Sequence, residues 1–134
     1  MSGLSRTCGV PLATASVVVT LARQAFGKTG EDLAAVELER RGYAILARRY
    51  RTRYGEIDIV ARVDDTLVFV EVKARTNGER GTAVEAITPQ KQRKLALMAA
   101  DYLARHELAN IACRFDVVAI DGDVVTLIPD AFDA

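Results

Sequence analysis

Residues 67–74 constrain the fold most, because apolar side chains alternate there with a second set that includes charged ones. Successive residues of a β-strand point to opposite faces of the sheet. The segment therefore predicts a strand with one apolar face and one face that carries charge. The apolar face holds Val68, Val70 and Val72, and the other face holds Phe69, Glu71 and Lys73.

The preceding stretch, residues 43–63, is rich in β-branched and aromatic residues and is interrupted at Gly55. This composition predicts two further strands. Residues 64–66 form the turn into the strand at 67–74. In the second of these strands one face is predicted to hold Ile57, Ile59 and Ala61, and the other Glu56, Asp58 and Val60.

A hairpin of these two strands would bring two carboxylates together. Burying both apolar faces on one side selects a register that pairs Ile59 with Val70, or one shifted by two residues. The first register places Asp58 opposite Glu71, with Cβ atoms about 4.5–5.5 Å apart. Such carboxylates repel unless a cation lies between them or one is protonated. Lys73 lies two residues further on the same face, and the alternative is a solvated face with ordinary ion pairs.

Two helices are predicted beside these strands. The first follows Thr29, which forms a capping box with Asp32, and it ends before Gly42. The second begins with Thr88 as the N-cap and Pro89 as the first helical residue. Its buried stripe is predicted to contain Leu95, Met98, Ala99, Tyr102 and Leu103.

Two final strands, residues 113–120 and 124–128, complete one α/β domain, since 134 residues suffice for one core. Residues 10–22 carry no charge but are too short for a transmembrane helix. We assign residues 1–24 to a flexible N-terminal extension and residues 25–134 to the domain. A leader from an upstream start codon is an alternative, and an export signal is disfavoured because its small-residue pattern precedes the end of the apolar run.

The composition limits the chemistry. Lysine plus arginine equals aspartate plus glutamate, 18 each, so no overall positive charge indicates a nucleic-acid partner. Two distant cysteines and one histidine support neither a zinc site nor a disulfide framework, and a reducing cytoplasm is expected. A metal site would therefore use carboxylate and carbonyl oxygens, which favour Mg²⁺ or Mn²⁺.

Local basic segments offer two candidate nucleic-acid contacts. Six arginines and two tyrosines occur in residues 40–53 without an acidic residue, which suits a nucleic-acid backbone and its bases. The alternative is a charged edge strand that discourages aggregation. Lys91 is one of three cations in the first turn of the second helix, where they oppose the helix dipole unless a phosphate lies there. The alternative is a tolerated mismatch on an exposed helix.

Several motifs together resemble the YraN-type family of small bacterial proteins that are predicted endonucleases. The motifs are G-E at 30–31, G-E-I-D-I-V at 55–60 and V-F-V-E-V-K-A-R at 68–75. That family is similar to archaeal Holliday-junction resolvases and to the PD-(D/E)XK nucleases. The resemblance implies a restriction-endonuclease-like fold, in which a mixed sheet is flanked by helices.

The resemblance also implies roles for individual residues. Asp58 and Glu71 would hold Mg²⁺ or Mn²⁺ with the Val72 carbonyl, Lys73 would orient water or stabilise charge, and Glu31 would add a carboxylate. DNA would contact Arg48, Arg49, Arg51, Arg75 and Lys91.

The implied activity is metal-dependent hydrolysis of DNA phosphodiester bonds, on branched or damaged DNA, by a protein without membrane association that forms a homodimer. The alternative is a nucleic-acid-binding module without turnover. Two positions depart from the family pattern: Arg49, where asparagine is more frequent, and Arg80, where an aromatic residue is common. These departures bear on substrate contacts and leave the metal-binding residues intact.

Overall fold

A mixed β-sheet with one helix on each face forms the domain. The computed structural model describes residues 16–18, 29–75 and 83–133. Its elements are β1 (Ser16–Val18), α1 (Gly30–Arg40), β2 (Ala44–Thr52), β3 (Gly55–Val63), β4 (Thr66–Arg75), α2 (Pro89–Arg105), β5 (Ala112–Asp121) and β6 (Val124–Phe132). The strand order is β1-β6-β5-β4-β3-β2, and β4 and β5 are the parallel pair. The predicted α/β class is confirmed.

Both helices begin where the sequence predicts. The Thr29 side chain accepts a hydrogen bond from the Asp32 backbone N–H (3.2 Å), and Asp32 Oδ2 accepts one from the Thr29 N–H (3.3 Å). Gly42, just beyond the end of α1, has φ 92, a conformation that suits glycine. The Thr88 hydroxyl accepts a hydrogen bond from the Lys91 N–H (3.1 Å). The caps therefore fix the residues at which both helices start.

Each face of the sheet has its own hydrophobic cluster. The α1 cluster contains Leu33, Ala34, Ala35, Leu38, Tyr43, Ile59, Ala61, Val68, Val70, Val118, Ile120, Val125 and Leu127. The α2 cluster contains Ile57, Val60, Leu67, Phe69, Ala83, Ile87, Leu95, Met98, Ala99, Tyr102, Phe115, Val117 and Ala119, with Leu103 partly buried against it. The predicted stripe of α2 and the predicted alternation along β4 are confirmed.

The prediction that Ile57 shares a face with Ile59 and Ala61 is wrong. Ile59 and Ala61 lie in the α1 cluster as a pair, but Ile57 lies in the α2 cluster with Val60. Strict alternation would keep residues 57, 59 and 61 on one face. The alternation is therefore broken at Asp58, where β3 changes the face that it presents to each helix.

The neighbouring strand gives the physical reason for this break. Arg49 of β2 has φ 52, in the left-handed region that non-glycine residues seldom adopt. It lies between Arg48, which pairs with Ile59, and Tyr50, which pairs with Ile57. Like Ile57, Tyr50 packs against the α2 cluster, so both strands change faces together at this point.

One fully buried acid, Asp116 of β5, is completely hydrogen-bonded. Its Oδ1 accepts from Arg114 Nε (3.0 Å) and from the Asp130 N–H (2.9 Å), and its Oδ2 accepts from the Tyr43 hydroxyl (2.8 Å). The register between β5 and β6 shifts next to Asp116, and Asp130 has φ 50. The carboxylate therefore joins the start of β2 to an irregular part of the β5–β6 pair.

A second buried acid, Glu37 of α1, lies between two arginines. Arg40 Nε donates to Oε1 (3.0 Å) and Arg41 Nε donates to Oε2 (2.6 Å). Burial alone would raise the pKa of Glu37, but the hydrogen bonds from Arg40 and Arg41 outweigh it and lower the pKa. Two arginines of the predicted basic stretch thus serve the fold.

Some predictions fall outside the described residues. These include the position of Arg80 and most of the extension at 1–24. The structure pairs Ser16–Val18 with Val124–Thr126 of β6, a contact that the sequence pattern did not predict. The domain boundary stays a prediction. Among the described residues, neither helix combines the length and the apolar character needed to cross a bilayer.

Candidate active site

A fork between β3 and β4 holds the candidate site. The ladder between these strands ends at the pair Ile59 and Val70, so the predicted register is confirmed up to that point. Beyond it, the Val72 backbone N–H donates to Asp58 Oδ2 at 2.8 Å. A side chain thus takes the position of a backbone acceptor, and Asp58 is fixed where the strands separate.

Two carboxyl groups meet in this fork. Asp58 and Glu71 lie close enough for each to affect the pKa of the other, and the Glu71 side chain is 14% exposed. Burial, and then the charge of Asp58, raises the pKa of Glu71 to about 7. Burial also raises the pKa of Asp58, although the Val72 N–H opposes this effect. The pair therefore shares a proton near neutral pH unless a cation neutralises it.

Two lysines bring positive charge to this pair from different elements. Lys91 Nζ, in the first turn of α2, lies 3.7 Å from Glu71 Oε2. The charge of Lys91 lowers the pKa of both carboxyl groups, and that of Lys73 lowers the pKa of Glu71. Lys73 is half-buried on β4. The structure therefore brings together Asp58, Glu71 and Lys73, as the sequence predicts.

Glu31 lies close to the pair but has partners of its own. Its Oε1 accepts from Arg48 at 2.8 Å and from Arg49 Nε at 3.1 Å. Its charge nonetheless raises the pKa of Asp58, which indicates proximity. Arg48 also binds Asp32, and that contact is the main reason why the pKa of Asp32 is lowered to about 2. The start of α1 is thus tied to β2 beside the fork.

The predicted nucleic-acid contacts have different surroundings. Arg48 and Arg49 are paired with acids of α1. The Arg51 side chain is 86% exposed and lies 3.2 Å from Glu56. The Arg75 side chain lies outside what the structure describes. Contact with DNA stays a prediction for all of them. The acid-free sequence of residues 40–53 did not reveal that α1 supplies acids to Arg48 and Arg49.

The geometry at Arg49 gives its departure from the family pattern a backbone explanation. Asparagine is among the residues most enriched in the left-handed region, and Arg49 adopts φ 52. The asparagine that the resemblance implies at this position would therefore suit this backbone better than arginine does. The position was expected to bear on substrate contacts, and the structure places it where β2 and β3 change faces.

The donor set suits a hard cation that takes few ligands from the protein and keeps several waters. Within residues 29–75 and 83–133, no group of three or more histidine, cysteine, aspartate and glutamate side chains is placed to hold a metal ion. The candidate ligands are therefore the two oxygen donors Asp58 and Glu71, with the Val72 carbonyl as a predicted third. Magnesium commonly binds one or two carboxylates and keeps several waters, so this set fits it.

The fold and the site define a class: a mixed α/β domain with a buried carboxyl pair at a strand fork. The chain belongs to Uncharacterised protein family UPF0102, whose family model matches residues 30–120.

Proteins named only as UPF0102 proteins are similar over most of their length. The relative from Lachnoclostridium phytofermentans is 54% identical over 109 residues, which cover 81% of this chain and 92% of the relative. The relative from Anaeromyxobacter dehalogenans is 47% identical, and the match covers 83% of this chain and 86% of the relative. The relative from Geobacter metallireducens is 44% identical, and the match covers 86% of this chain and 98% of the relative.

Proposed function

We propose that this protein is a metal-dependent endonuclease that hydrolyses phosphodiester bonds in DNA, with a restriction-endonuclease-like fold. One observation carries the proposal: Asp58 and Glu71 share a largely buried fork, where burial raises the pKa of both and the charge of Asp58 further raises that of Glu71. A protein seldom retains such an arrangement for stability, because ionising both groups costs free energy. Strongly perturbed carboxyl groups with a cation beside them are typical of catalytic sites.

The residues of the fork divide the work. Asp58 and Glu71 hold Mg²⁺ or Mn²⁺, and the Val72 N–H keeps Asp58 oriented. When bound, the cation polarises a phosphoryl oxygen and lowers the pKa of a water. Lys73, on the same strand as Glu71, orients the attacking water or offsets the negative charge that develops on the phosphoryl group.

DNA is the proposed substrate because solvent-accessible cations lie on β2 and α2, next to the strands of the fork. Arg51 is exposed, and Lys91 lies at the first turn of α2, which is a favourable place for a phosphate. Branched or damaged DNA is the proposed preference, in line with the resemblance of the motifs. A homodimer is part of the proposal, and light scattering tests it.

The decisive experiment is cleavage of labelled linear, flapped and four-way-junction DNA in Mg²⁺, with wild type beside Glu71→Gln. We expect the variant to lose more than about 100-fold in rate, beyond the 10- to 100-fold typical of residues that only support a ligand. Glu39→Gln is the control, because Glu39 is an exposed acid on α1. Its rate should match wild type.

Two outcomes would contradict the proposal. Cleavage that is equal in wild type and Glu71→Gln would come from a contaminant and would exclude catalysis at this fork. Salt-dependent DNA binding without cleavage, with and without Mg²⁺, would favour a binding module without turnover.

A further inference from the structure

Lys91 occupies a position in α2 where a cation is unexpected. Thr88 is the N-cap and its hydroxyl binds the Lys91 N–H, so Lys91 is the third helical residue. In α1 the equivalent residue is Asp32, whose carboxylate completes the capping box with Thr29. An acid at this position also interacts favourably with the helix dipole, whereas a lysine opposes it. Helix formation alone therefore does not explain Lys91.

The contacts of the Lys91 side chain supply a reason. Its Nζ lies 3.7 Å from Glu71 Oε2, and its charge acts on Asp58 as well. The side chain is 41% exposed, whereas that of Glu71 is 14% exposed. A cation thus reaches the buried pair from solvent, on a long chain whose backbone is fixed by the cap.

We propose that Lys91 is a built-in counter-cation of the Asp58–Glu71 pair, which stabilises the pair while no divalent cation is bound and competes with that cation for it. The inference rests on the proposed function, since it concerns the metal ligands assigned there. It gives Lys91 a role inside the fork in addition to any contact with DNA.

Competition follows from electrostatics at short range. A divalent cation between Asp58 and Glu71 would lie close to the Lys91 ammonium, and like charges at such distances repel even with strong screening. The partly exposed side chain has space to move outward when the cation binds. The ammonium group then becomes available to a phosphate group, so the cation and DNA would favour each other's binding.

The test is a titration with Mn²⁺ alone, followed by the electron paramagnetic resonance of free Mn²⁺, at pH 8 and without DNA. Removing one positive charge beside the pair should tighten binding, so we expect Lys91→Gln to bind Mn²⁺ about 3- to 10-fold more tightly than wild type. Lys91→Arg keeps the charge and should stay within about twofold of wild type. Lys94→Gln removes the same charge from an exposed position of α2 and should also stay within about twofold.

The outcomes separate this inference from the proposed function. Unchanged or weaker Mn²⁺ binding in Lys91→Gln, beside measurable binding in wild type, overturns the counter-cation and leaves the endonuclease proposal standing. Equal tightening in Lys94→Gln overturns it too, because the effect would then be one of net charge. If no variant binds Mn²⁺ at millimolar concentration, both proposals fail. Thermal unfolding confirms that each variant is folded, and Lys91→Ala repeats the test if glutamine is not tolerated.

Discussion

Glu71 and Asp116 lie on neighbouring parallel strands, and their surroundings are opposite in kind. Glu71 is opposite Val117, and Asp116 is opposite Val70, so the two acids are one step apart in register. Asp116 is fully buried, yet donors from an arginine, a tyrosine and a backbone N–H satisfy both of its oxygens. Glu71, by contrast, lies beside another carboxyl group, that of Asp58, and 3.7 Å from the Lys91 ammonium.

The difference shows that burial alone does not identify a reactive acid. A buried carboxylate with enough donors stabilises the fold as an anion, whereas a buried pair with too few donors retains a proton and affinity for a cation. In sequence both acids are flanked by apolar residues, as V-E-V and F-D-V. The distinction arises from the partners that the fold brings to each.

The largest expected effect concerns Asp116, the acid that stabilises the fold as an anion. Asp116→Asn should destabilise the protein by about 3 kcal/mol, because it leaves the largely buried Arg114 without its counter-charge. Urea denaturation at pH 7 measures the loss. Asp65→Asn, in the exposed turn between β3 and β4, is the control and should change stability by less than about 0.5 kcal/mol. A loss below about 1 kcal/mol for Asp116→Asn would show that the charge of Asp116 contributes little to the stability of the fold.

The next effect has the opposite sign and depends on pH. The pKa of Glu71 in the folded protein, about 7, lies above its ordinary value of 4.5. At pH values between these two, the folded state therefore binds more protons than the unfolded state, and wild type loses stability as the pH rises. Glu71→Gln has no such loss, so without divalent cations its stability relative to wild type should improve by about 2 kcal/mol from pH 5 to pH 8.

Urea denaturation in EDTA at both pH values checks this prediction, with Glu39→Gln as the control. A difference between Glu71→Gln and wild type that stays constant from pH 5 to pH 8 would mean that Glu71 is not held in a protonated state. The fork and the Asp116 network would then be alike in energetic terms.

The smallest effect concerns the backbone beside each acid. Asp130, next to Asp116, and Arg49, next to the fork, both have left-handed φ values, of 50 and 52. Aspartate and asparagine tolerate this region better than arginine. We expect Arg49→Asn to stabilise the protein by about 0.5–1 kcal/mol, even after loss of the exposed ion pair to Glu31. Arg51→Asn, at an ordinary strand position, should give no gain in the same urea experiment. Equal changes in both would exclude relief of backbone strain.

Local signals in the sequence predicted both helices, the strands β2 to β6 and the residues of the fork. Thr29 and Thr88 determine where the helices start through hydrogen bonds within one turn, and Pro89 through its fixed φ, so a short sequence window contains the information. The register of β3 and β4 was predictable as far as Ile59 and Val70, because apolar alternation specifies it.

Features that depend on distant partners were not predictable. The side on which Ile57 packs depends on the left-handed backbone at Arg49 in another strand. The pairing of Arg48 with acids of α1 depends on how the helix is placed against β2. Lys91 was predicted as a phosphate contact. Its proximity to Glu71 was not predictable, because that distance is set by the packing of α2 against the sheet.

The hydrogen bond between Asp58 and the Val72 N–H has a practical consequence for the choice of a variant that tests the proposed function. One oxygen of Asp58 continues the pattern of strand hydrogen bonds, so replacing this residue with alanine would leave a backbone donor without its acceptor and change the shape of the fork. Glu71 has no such backbone partner among the described contacts. An inactive variant for tests of the proposed function is therefore better made at Glu71, where the scaffold around the missing group stays in place.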